Sequence, residues 1–90
     1  MENKYYLVDW DVWNTQTQTY VDEGLCDWVY TDDEADAIEL MMDYIIENSD
    51  GWYVEQDGEV LKLHHEYHDS ANRLFVQNLE YRNFRIHTTD

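Results

Sequence analysis

The chain has 90 residues, of which 21 are Asp or Glu and only 5 Lys or Arg, for a formal net charge of −16. That balance disfavours nucleic acid and anionic lipid as direct partners, because each phosphate contact needs a cation. Four Trp, eight Tyr and two Phe exclude a disordered acidic tail, since such tails lack the aromatics that build a core.

In chain order, Tyr5 to Trp13 alternates with period two and reads as a half-buried strand. Tyr6, Val8, Trp10 and Val12 share its apolar side; Asp9, Asp11 and Trp13 share the other. Asn14-Thr15-Gln16 predicts a turn, and Thr17 to Val21 a second strand rich in Thr and Tyr. Asp22-Glu23-Gly24 interrupts it as a bulge or turn, and Cys26 to Tyr30 resumes the extended pattern.

A helix is predicted from Asp32 to about Asn48. Thr31 and Glu34 have capping-box spacing, with Asp32 and Asp33 in the first turn, where the helix dipole favours negative charge. Ala35, Ile38, Met42 and Ile45 recur at helical spacing, widened by Met41 and Ile46, and Asn48-Ser49-Asp50-Gly51 ends the element.

Trp52 to Gln56 and Glu59 to Tyr67 flank Asp57-Gly58, a hairpin signal in which both residues are expected at positive φ. Asp69 to Asn72 is a further turn. Leu74 to Leu79 and Phe84 to Thr88 read as a last pair of strands. The expected fold class is α+β: an antiparallel sheet of five or six strands with one amphipathic helix packed on one face, in a single domain spanning 1–90.

Localisation follows from what the chain lacks. Cys26 is the one cysteine, so no internal disulfide forms and a reducing cytoplasm is expected. No apolar run approaches ~18 residues, so no membrane partner is expected. The start Met1-Glu2-Asn3-Lys4 has no signal-peptide pattern.

The charge is concentrated. From Met1 to Leu61 the only Lys or Arg is Lys4, whereas the acids after Leu61 are balanced by Lys62, Arg73, Arg82 and Arg85. Like charges gathered on one body repel, so the field is expected to serve a partner of opposite sign. Asp36, Glu39, Asp43, Glu47 and Asp50 are spaced by three and four, which lines them along one helix face. The stripe is roughly 21 Å long with a carboxylate about every 5 Å. Duplex DNA carries a phosphate per ~3.4 Å of axis on each strand. Asp9, Asp11 and Asp27 from neighbouring strands are expected to make up the density, and Asp32 and Asp33 extend the row. Solvated helix faces usually alternate Glu with Lys, which this one does not. Trp13, beside Asp9 and Asp11, is the expected aromatic anchor of a contact.

No catalytic constellation stands out, so no enzyme activity and no cofactor are expected. His64, Glu66 and His68 share a strand face but lack a helical zinc spacing or a nearby Cys, and no metal site is assigned. Asn48 to Glu59 fits a calcium loop at several positions but has Tyr53 where the sharp turn requires Gly.

In its acidic helix, its scarcity of Lys and Arg and its length, the chain resembles the small acidic proteins of bacteriophages and mobile elements that imitate DNA, the anti-restriction, anti-CRISPR and nuclease-inhibitor proteins. The resemblance is one of composition. It implies a mode of action, occupation of the nucleic-acid groove of a basic protein such as a CRISPR effector or restriction enzyme. It implies no topology and no catalytic residue. Two other readings share the composition: an immunity protein for a basic nuclease toxin, and a domain made acidic for solubility in a salt-loving organism.

Overall fold

In a computed structural model, which describes residues 2–87, the chain forms β1 (Lys4–Asn14), β2 (Thr19–Thr31), α1 (Glu34–Glu47), β3 (Tyr53–Asp57), β4 (Val60–His68) and β5 (Leu74–Ile86). All strand pairs are antiparallel, in one five-stranded sheet of order β2-β1-β5-β4-β3. The expected α+β class therefore holds, with α1 lying across one face.

The strands beyond the helix number three, not four, because β5 is continuous where a break was expected between Leu79 and Phe84. β2 is likewise one strand through Asp22-Glu23-Gly24. Both run on because bulges absorb the irregular residues. Gly24 has φ 84°, and the β1–β2 register slips between Trp10 and Asp11. Asn83, at φ 60°, lies where the β1–β5 register slips. A bulge residue in left-handed conformation is tolerated best by Gly and, among other residues, by Asn. Thr88, the expected end of the last strand, lies outside the described residues.

The β3–β4 turn differs by one residue from expectation. Asp57 pairs with Val60, so the loop is Gly58-Glu59, and only Gly58 has positive φ (62°). Glycine first in a two-residue loop is the type II′ pattern.

The helix starts later than its sequence signature. Thr31 stays extended, paired opposite Lys4. Asp33 is the N-cap, and its Oδ1 accepts the Ala35 N–H at 2.9 Å. Glu34 and Asp36, rather than Asp32 and Asp33, occupy the first turn. The buried face moves accordingly: Ala37, Met41 and Met42 are inside, Ile38 and Ile45 partly so, and Ala35 is exposed.

These residues meet Val8, Trp10 and Val12 of β1, Leu61 and Leu63 of β4, and Phe84 of β5 in one core. Met41, Met42, Leu61 and Val8 are its largest fully enclosed side chains. Each such side chain contributes about 1.5–3 kcal/mol by leaving water. Among the described residues, the opposite face of the sheet carries no helix.

Candidate functional site: an unneutralised acidic helix face

The register assigns each charged strand residue to a side. Val8, Trp10 and Val12 point at α1, so Asp9, Asp11 and Trp13 point to the open face. Opposite them stand Arg85, Arg82 and Glu80 of β5, and beyond those Lys62 and His64 of β4. Lys62, His64, Arg82 and Arg85 of the sheet are thus on the face away from the helix, whereas Lys4, at the start of β1, shares the side of Val8.

Asp9 and Asp11 are consequently neutralised. Arg85 Nε lies 3.9 Å from Asp9 Oδ2, and Arg85 Nη2 donates to Asp11 Oδ1 at 3.4 Å. His87 Nδ1 bonds Asp9 Oδ2 at 2.8 Å. Asp11 also accepts the backbone N–H of Gly24 at 2.9 Å and the Asn83 side chain at 3.0 Å. Its partial burial raises the carboxyl's pKa, but the hydrogen bonds from Asn83, Gly24 and Arg85 outweigh that and hold it below the ordinary carboxylate value. The sequence-based expectation that Asp9 and Asp11 thicken the helix stripe is therefore corrected. They sit across the sheet from it and bind the protein's own cations.

Trp13 sits on the same open face. It packs edge-on against Tyr20 with ring centroids 4.7 Å apart, and the Arg82 guanidinium lies 4.6 Å over its ring. Arg82 also pairs with Glu80, which strengthens its hold on its proton. Trp13 is half-buried among these partners, so it is not an anchor beside the helix stripe.

The helix carboxylates behave differently. Asp36, Glu39, Asp43, Glu47 and Asp50 are all exposed, as are Asp32 and Asp33 before the first turn. No ion pair among the described residues involves any of the seven. Among the described residues the one side-chain donor to the stripe is neutral: Gln56 of β3 reaches Glu39 at 3.3 Å. Asp27, exposed on β2, lies on the helix side and lines one cleft with Asp50, Tyr44 and Trp52. Of the three strand carboxylates expected to extend the acidic surface, Asp27 alone does so.

His64, Glu66 and His68 share the open face, where His64 Nδ1 donates to Asn78 Oδ1 at 2.6 Å and Nε2 to Glu66 Oε1 at 3.0 Å. Two acceptors require both ring N–H groups, so Asn78 first and Glu66 second raise the pKa of His64. Among the described residues no three His, Cys, Asp or Glu side chains converge as metal ligands, and no helix is long and apolar enough to cross a membrane.

Sequence reasoning missed the placement of Arg82, Arg85 and Lys62 away from the helix. Its only local signal was the absence of Lys and Arg between Tyr5 and Leu61. Comparison with protein-family models, with curated proteins and with solved structures finds no match.

Proposed function

We propose that the protein is a DNA-mimicking inhibitor. It presents the outer face of α1 to the Lys- and Arg-lined nucleic-acid groove of a defence nuclease, a CRISPR effector or restriction enzyme, in the cytoplasm of a host cell. The observation that carries this reading is the absence of any ion pair to Asp36, Glu39, Asp43, Glu47 and Asp50 among the described residues, while Asp9 and Asp11 across the sheet are tied to Arg85. Keeping such a row on a chain of −16 costs stability through mutual repulsion, and a cationic groove relieves that cost on binding. The contact surface is α1 with Asp32, Asp33, Asp50 and Asp27 at its margins. Electrostatic steering makes association fast and salt-sensitive. The inhibitor needs no cofactor and performs no chemistry.

A gel-shift series with target nuclease, duplex and inhibitor tests the mode. Rising inhibitor should remove the nuclease–duplex complex in either order of addition, and the inhibitor alone should not shift duplex. A stable complex of all three would overturn mimicry in favour of binding away from the groove. A cognate toxin as the sole protein inhibited would point to an immunity protein.

A further inference from the structure

The outer edge of β2 is the longest unpaired strand edge that the sheet order leaves, 13 residues with β1 on one side only. Exposed edges usually carry Lys, Pro or short strands that discourage pairing. Leu25 to Thr31 has neither Lys nor Pro and only one charge, Asp27. The N–H of Trp28 donates to the Asp27 carboxylate at 2.7 Å, so it is turned away from β1 toward the edge. Apolar surface flanks this edge on both sides. On the open face Tyr5, Trp28 and Tyr30 are 68%, 58% and 55% exposed, and Tyr5 stacks on Tyr30 at 4.7 Å. On the helix side are the exposed Leu40 and Tyr44.

We infer that this edge is a self-association seam, in which β2 pairs antiparallel with β2 of a second copy about a two-fold axis at Trp28. An outward row of N–H and C=O groups is complemented by another strand, and an antiparallel pair of identical strands is self-complementary by symmetry. Charge selects this segment. The two-fold at Trp28 sets Asp27 opposite Val29 of the second copy and Cys26 opposite Tyr30, so no like charges face each other within Leu25–Thr31. The outer face of α1 offers a second copy mainly carboxylates, those of Asp36, Glu39, Asp43 and Glu47. With ~150–250 Å² on each aromatic side chain, the three exposed rings contribute roughly 300–400 Å² per copy. That is about half of the ~800 Å² per partner of a standard interface, the strand backbone and Leu40 and Tyr44 supplying more. The axis runs perpendicular to the sheet, so both α1 helices lie on the same side and two carboxylate rows face one way. That last consequence bears on the mimic reading and rests on it; the pairing itself does not.

Light scattering with size-exclusion chromatography, on the full chain without any partner, is the test. At ~500 mM NaCl, where screening shortens repulsion to a few ångströms, and ~200 µM protein, the mass should be twice the 11.0 kDa of the chain. It should fall toward the monomer at ~20 mM salt. Trp28→Lys, an exposed substitution checked for native circular dichroism, should remain monomeric. Tyr30→Cys should form an intermolecular disulfide with Cys26 on mild oxidation, because facing residues lie ~5.5 Å apart, whereas wild-type Cys26 pairs would be ~13 Å apart and should not cross-link. A monomer at high salt would overturn the proposal. A dimer that survives Trp28→Lys would place the seam elsewhere, and absence of the Tyr30→Cys cross-link would refute the register.

Discussion

Asp11 and Gly24, on neighbouring strands, are joined by a 2.9 Å hydrogen bond from the Gly24 N–H to the carboxylate, at the point where β2 bulges. The other oxygen of the same carboxylate accepts from Asn83 at 3.0 Å, where the register between β1 and β5 slips. One side chain thus pins two of the three register slips of the sheet, the third lying between Val12 and Trp13. Replacing Asp11 by Ala should destabilise the fold by about 1–3 kcal/mol, since it strands several donors together. Urea unfolding gives the value, and a change below ~0.5 kcal/mol would show that the bulges hold themselves.

The acid dependence of that link has a definite sign. The folded carboxyl of Asp11 is held below its ordinary value of 3.8, so its contribution is complete above that pH and fades as pH falls through the lowered folded value. The melting-temperature gap between the wild type and Asp11→Asn should shrink below about pH 4. A gap that stays constant down to pH ~2 would mean that Asp11 does not titrate as bound.

His64 has the opposite sign. Its pKa is raised above 6.5 by Asn78 and Glu66, so the stabilisation is complete below 6.5 and is lost as pH rises through the folded value. A proton NMR titration should place its midpoint above 6.5, and Asn78→Ala should lower it. A midpoint at or below 6.5 would contradict the two-acceptor geometry.

Charge reversal of the helix addresses the functional reading. Changing Asp36, Glu39, Asp43 and Glu47 together to Lys should leave circular dichroism native, because all four are exposed. It should weaken target binding by about 100-fold or more, as like charges then face the groove. Unchanged binding would move the contact to the open face, with Trp13, Tyr20 and Arg82 as the next residues to alter.

Repulsion in the free protein should also be measurable. Between ~20 mM and ~500 mM sodium chloride the melting temperature should rise by about 5 °C, corresponding to about 1 kcal/mol for a domain of this size. No rise would mean that the carboxylates are spaced widely enough to be energetically silent. A rise that continues past ~1 M, with unfolding below it, would favour adaptation to salt.

The sequence by itself determined the elements whose signals are local. Period two marked β1, a three-and-four spacing marked α1 and its acidic face, and Gly58 marked the β3–β4 turn. It placed Asp9, Asp11 and Trp13 correctly on one side of β1. Local signals could not say what that side faces. Tertiary structure decided that Arg85 and Arg82, more than seventy residues along the chain, stand opposite those acids, because β5 inserts beside β1. It decided that β2 and β5 are single strands, since a bulge is stabilised by its neighbours across the sheet, and here by Asp11, rather than by its own residues. It moved the helix N-cap from Thr31 to Asp33, because pairing with Lys4 keeps Thr31 extended. Above all, it separated the carboxylates that have a cation from those that have none among the described residues. Charge along the chain is a sum, whereas a charged surface depends on which residues the sheet brings to the same side.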